Sequence, residues 1–143
     1  MAGQAFPFLI LVLSFLGFLD ATYLSILHFK NAFPPCTLSG CEIVLTSKFA
    51  TILGIPISLI GSLFYLLLIG LCLLILTAPK KLFLKILMIT AASGALVSLA
   101  LIYIQFGILK SFCQYCLFSE ILNILIFGLS MRSFRGSTLK KWF

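Results

Sequence analysis

The residues best suited to chemistry in this sequence are its cysteines. Five are present: Cys36, Cys41, Cys72, Cys113 and Cys116. Four of them form two pairs, Cys36-Thr-Leu-Ser-Gly-Cys41 and Cys113-Gln-Tyr-Cys116. A C-x-x-C closes a small disulfide ring. Where it opens a helix, the free N–H groups and partial positive charge of that end stabilise a thiolate, the attacking species in disulfide exchange. The first pair lies in a stretch softened by Ser39-Gly40 and preceded by Pro34-Pro35. A dithiol there can reach both a soluble protein and the second pair. The residue types also admit two static disulfides, natural in an oxidising compartment, or a four-cysteine zinc site. Zinc is the weaker fit, because the loop pair is loosely spaced and neither His nor acid completes a usual pattern. Cys72 stands apart in an apolar run and reads as a buried free thiol.

Two acids, Asp20 and Glu120, also fall inside apolar runs. Such residues are costly in a membrane and are functional candidates by default; each suits proton transfer or a structural hydrogen bond to another helix. His28 reads as an interfacial residue. Phe49, Phe64, Tyr65, Phe112 and Tyr115 are candidates to wall a slot for a flat ring, and each is equally at home in a core or against lipid. Gly54, Ser58 and Gly61 would let a second helix or such a ring come close.

The elements that must position these residues follow from composition. Apolar residues make up 62% of the 143-residue chain and charged residues 9%, with a mean hydropathy of +1.26. A soluble domain is nearer about 45–50% and roughly 25%. With three acids and ten bases there is too little charge to coat a water-facing globule. That excludes an ordinary soluble enzyme, a disordered chain and a nucleic-acid binder of the usual kind. A membrane span takes about 20 apolar residues. The runs with little or no charge predict four spans, near Phe6–His28, Ile55–Thr77, Leu82–Leu109 and Ser111–Met131. Pro56 falls in the first turn of the second span, where its missing N–H costs nothing, and Pro79 closes that span. No Lys or Arg precedes Lys30, so the first span lacks the positive start of a cleaved signal peptide and is read as retained.

Lys80, Lys81, Lys85, Arg132, Arg135, Lys140 and Lys141 fall on one side of such a four-span chain, against Lys30, Lys48 and Lys110 on the other. The excess predicts that both termini are cytoplasmic in the plasma (inner) membrane. The loop from Phe29 to Gly54 and the start of the fourth span then face outward, with both cysteine pairs. The expected architecture is a single all-α membrane domain over 1–143, a four-transmembrane-helix bundle. Its outer loop bears a short interfacial helix within Glu42–Leu53. The basic tail ending Lys140-Lys141-Trp142-Phe143 suits either an interfacial anchor or a solvated end. A C-x-x-C at the membrane surface can meet a lipid-soluble oxidant.

With these landmarks in order, the sequence resembles the vitamin K epoxide reductase family from about Leu16 to Ser130. The landmarks are Asp20-Ala-Thr-Tyr23-Leu24; the loop pair Cys36 and Cys41; Ser47; Gly54-Ile-Pro56-Ile-Ser58-Leu-Ile-Gly61-Ser-Leu-Phe64-Tyr65; and Phe112-Cys113-Gln-Tyr-Cys116-Leu. The resemblance implies a four-helix bundle around a quinone pocket, with ubiquinone or menaquinone as electron acceptor. By it, Cys36 accepts electrons from a thioredoxin-like partner, Cys41 exchanges with Cys113, and Cys116 is the thiolate facing the quinone. Ser47, Ser58, Gly61, Phe64, Tyr65, Phe112 and Glu120 are the candidate quinone-binding residues. Some bacterial members carry the partner as a fused domain; here it is expected to be separate. Vertebrate members place an Asn early in the second helix and a Tyr after the last active cysteine. Here those positions hold Ile57 and Glu120, so epoxide reduction is not the expected task.

The reading is therefore a membrane enzyme, a quinone-coupled thiol oxidoreductase supporting disulfide formation outside the cytoplasm. A DsbB-type oxidase is the nearest alternative, although its C-x-x-C comes in the first outer loop and the order here is reversed. A non-enzymatic scaffold or transporter subunit with structural disulfides is the alternative from another class.

Overall fold

The computed structural model describes residues 2–35, 40–78 and 80–142, with side chains for 5–35, 40–78 and 80–136. In chain order the elements are α1 (Ala2–Phe29), α2 (Cys41–Thr46), a 3-10 turn (Lys48–Ala50), β1 (Thr51–Ile52), β2 (Ile55–Pro56), α3 (Ile57–Thr77), α4 (Lys81–Tyr103), a π-helical turn (Ile104–Leu109) and α5 (Gln114–Trp142). Four stretches are long and apolar enough to cross a membrane: Ala5–Phe29, Ile57–Thr77, Lys81–Leu109 and Gln114–Gly136. The expected four-helix membrane bundle is present.

α1 packs on α3 and α5, and α4 packs on α5 and more lightly on α3. Ile10, Leu68, Leu87 and Ile126, one from each helix, belong to a single buried cluster. Large apolar side chains such as Phe8, Leu63, Leu96 and Leu125 point outward, as they must where the solvent is lipid. Because lipid tails are as apolar as leucine, close packing and interhelical hydrogen bonds hold such a bundle together. Thr22 and Ser62 tie α1 to α3 at 2.9 Å. The Tyr65 hydroxyl donates to the Ser119 carbonyl at 2.7 Å, tying α3 to α5, and Asn123 Nδ2 donates to Ser98 Oγ at 3.0 Å, tying α5 to α4. Tyr65 is fully buried because Gly17 leaves it room; a methyl group at position 17 would run into its ring.

The outer segment departs from expectation. Its first half is helical, as α2, but its second half is a two-residue antiparallel hairpin pairing Thr51 with Pro56 and Ile52 with Ile55. Leu53 and Gly54 have φ of 54° and 83°, the left-handed conformations that the tightest hairpin turn requires at both central positions and that a helix cannot contain. Pro56 is thus the N-cap of α3, at φ −65°, rather than part of its first turn, and α3 starts two residues later than predicted. α3 ends at Thr77; Pro79 lies outside the described residues. α4 runs into the π-helical turn, where Lys110 at φ 51° reverses the chain and Ser111 N–H closes on the Gln105 carbonyl at 3.1 Å. α5 accordingly begins at Gln114, not Ser111.

Candidate active site

The C-x-x-C sits where the chain turns into α5. The Cys113 carbonyl accepts the Leu117 N–H at 2.9 Å, so Cys113 occupies the capping position and Cys116 lies in the first turn. Both are free thiols, Cys113 fully buried and Cys116 half-buried. The Cys116 thiol hydrogen-bonds to Cys113 Sγ, and the backbone N–H groups of Cys116 and Tyr115 point at it too. Against the opposing effect of burial they bring the Cys113 thiol down to about 7. The electrostatics of this helix start therefore act on Cys113. The free Cys113 N–H is taken by the side chain of Gln105, whose Oε1 accepts it at 3.1 Å.

The outer loop docks on this turn from two sides. Gly40, the N-cap of α2, lies against the backbone of Phe112; a methyl group at position 40 would stand 2.5 Å from both the Phe112 nitrogen and oxygen. Only a residue without Cβ lets the following Cys41 sit so close to the residue preceding Cys113. Cys41 is buried and disulfide-bonded. Within the C-x-x-C itself, the Tyr115 hydroxyl donates to the Pro35 carbonyl at 2.8 Å, and its ring packs on Tyr23. Cys36 and the assignment made to it lie outside the described residues.

Beneath the C-x-x-C is a cavity of about 520 Å³ between the helices, within the range of ligand sites. Cys116 lines it and Cys113 does not. Along α5, Cys116, Ser119, Glu120 and Asn123 present one face to it, spaced as a single helical stripe. Ser47, Ser58, Gly61, Phe64 and Tyr65 line it as well, together with Asp20, His28 and Phe49. Phe112 does not: its ring is against Phe106, 4.4 Å between centroids, because its backbone is engaged by Gly40. Tyr115 is likewise turned to the loop, not to the cavity. At Gly61 an added methyl group would stand 3.9 Å from Ala21 Cβ, an ordinary contact. Cys72 is a free thiol buried in the core, as read. Among the described residues no group of three or more His, Cys, Asp or Glu side chains could hold a metal ion.

Three participants escape a reading of residue types. Gln105 is one polar side chain in a long apolar run, and its only signal was that isolation. Asn123 stood out no more than other polar residues, yet its Oδ1, like Asp20 Oδ2, is buried without a hydrogen-bond partner among the described residues. Gly40 read as a softener of the loop, whereas it is the contact point.

Compared with known proteins, residues 8–131 match the profile of the vitamin K epoxide reductase family. No individual curated protein matches the chain.

Proposed function

Because the chain belongs to the vitamin K epoxide reductase family, whose members are membrane thiol–disulfide oxidoreductases linked in general to quinones, we propose that it passes electrons from a separate thioredoxin-like protein through two cysteine pairs to a quinone. The observation that carries this reading is the position of the C-x-x-C. Cys116 borders the cavity, while the turn holding Cys113 is in contact with the loop that bears Cys41. One dithiol thus has a face toward each neighbour.

Three exchanges complete a cycle. The partner's two thiols reduce the Cys36–Cys41 disulfide and leave as a disulfide. The loop dithiol then reduces Cys113–Cys116, Cys41 attacking Cys113. Finally the Cys113 and Cys116 thiols give up two electrons and two protons as their disulfide re-forms, and one quinone becomes quinol. Attack by Cys41 on Cys113 releases Cys116 and leaves a Cys41–Cys113 mixed disulfide; Cys36 then attacks Cys41 and Cys113 leaves, a step that the low Cys113 titration favours, since a better leaving thiol speeds exchange. The cavity also fits the ligand. Its walls are mainly apolar, with Phe49, Phe64 and Tyr65 among them. Asp20 Oδ2 and Asn123 Oδ1, buried without a hydrogen-bond partner among the described residues, are acceptors suited to the hydroxyl groups of a quinol. The cytoplasmic excess of Lys and Arg supports an outward-facing site, where disulfides are made.

The purified chain, given a reduced thioredoxin-like protein and either ubiquinone or menaquinone, should convert quinone to quinol in step with oxidation of that protein. Cys116→Ala should stop both. Thiol oxidation that proceeds equally without quinone would remove the quinone from the reading.

A further inference from the structure

Gln105 and Glu120 are both buried, each only 3% exposed, although both are polar groups in apolar spans. They meet each other. Gln105 Nε2 is 2.9 Å from Glu120 Oε1 and 3.1 Å from Oε2, while Gln105 Oε1 accepts the Cys113 backbone N–H at 3.1 Å. One side-chain amide therefore spans from the redox pair to a carboxyl group that lines the cavity beside Cys116. It does so from the π-helical turn, a local departure from α-geometry that recurs at functional sites. Among the described residues neither Lys nor Arg lines the cavity, and the carboxyl is held by a neutral donor, which does not fix its charge as a cation would.

We propose that Gln105 is a positioning residue that holds Glu120 between the Cys113/Cys116 dithiol and the cavity, as the relay for one of the two protons of quinone reduction. The inference rests on the quinone reading above. Oxidation of the dithiol releases two electrons and two protons, and quinol formation consumes the same. Glu120 gives its proton to a quinone oxygen and regains one from the thiol deprotonated as the Cys113–Cys116 bond closes; the other thiol proton completes the quinol. Among the described residues the remaining titratable groups that face the cavity are Asp20 and His28 from α1, Tyr65 from α3 and Cys116 from α5, with none from α4.

The test uses the full chain in detergent with a small dithiol as reductant and a short-chain quinone. Glu120→Gln and Gln105→Leu should each slow quinol formation by about 100-fold, the lower end of general acid–base effects. The double variant should be no slower than the slower single one, because both remove one function. Gln105→Glu keeps an acceptor for Cys113 N–H but replaces the donor with a second carboxyl. Two carboxyls in one site share a proton at low pH and lose it as pH rises, so turnover relative to wild type should fall with increasing pH. Protection of buried Cys72 from alkylation checks the fold of each variant; if Gln105→Leu exposes Cys72, Gln105→Glu decides. Wild-type turnover and pH profile in the Gln105 variants, or losses that multiply in the double variant, would overturn the positioning role alone. A wild-type chain that exchanges thiols but makes no quinol would overturn the quinone reading and this role with it.

Discussion

The two cysteine-bearing regions are secured in different ways. The C-x-x-C is set by buried groups: the Gln105 amide on its N–H, a thiol–thiol hydrogen bond, and α5 itself, tied to α3 and α4 through Ser119 and Asn123. Cys41, by contrast, opens a six-residue helix with no side-chain cap. Among the described residues this segment meets the C-x-x-C turn at the Gly40 backbone contact and through a solvent-exposed hydrogen bond from Tyr115. Exposed polar contacts are worth little, buried ones a great deal when broken. The difference suits a stationary redox centre served by a detachable carrier.

That comparison can be broken from either side. The largest effect belongs to the stationary centre: Cys113→Ser or Cys116→Ala should reduce quinone turnover to the uncatalysed background by any thiol donor, measured as quinone absorbance. Gly40→Ala should come next. Its methyl would meet peptide backbone, not a side-chain tip, so the loop must lift. Turnover with a protein donor should fall about tenfold, equivalent to about 1.4 kcal/mol on the transfer step. A small dithiol that reduces the C-x-x-C directly should restore the rate; equal losses with both donors would show that the contact serves folding. Tyr115→Phe removes one exposed hydrogen bond worth about 0.5–1.5 kcal/mol, and should slow the protein-donor reaction only a few-fold.

The smallest change is in titration. With the Cys113 thiol brought to about 7, ultraviolet thiolate absorbance of the reduced chain should rise through neutral pH. Relative to a dithiol of ordinary acidity, the reduced C-x-x-C gains stability as pH rises from about 7 toward the ordinary thiol range, and that gain is lost as pH falls back through about 7. Cys116→Ala removes the hydrogen bond that contributes most, so the rise should move toward the ordinary thiol range. An unmoved midpoint would assign the shift to the backbone N–H groups alone.

Much of this was legible in one dimension. Four spans could be counted because lysines and arginines fall between apolar runs, and the C-x-x-C could be placed at a helix start because the last apolar run begins there. Cys116, Ser58 and Tyr65 were chosen by type and spacing, and they share one cavity. Phe112 was chosen on the same grounds and faces elsewhere, because its backbone is engaged by Gly40, far upstream in loop packing that no periodicity encodes. Gln105 was hidden for a different reason. Extrapolating the 3.6-residue period of α4 does not describe a π-helical turn, so the face on which position 105 emerges is unreadable from the positions before it. The hairpin at 51–56 was missed because its turn uses Leu53, an unusual residue at positive φ, where Asn or Asp would have announced it.

The cavity has a thermodynamic consequence. All four spanning helices contribute to its wall, so an occupant touches each and belongs to the packing of the bundle as much as to its chemistry. A ligand that binds only the assembled helices stabilises them by about 2.7 kcal/mol at a hundredfold excess over its dissociation constant. The melting temperature of the chain should therefore track the concentration of quinone in the surrounding lipid, and a membrane depleted of quinone would hold a bundle more easily pulled apart.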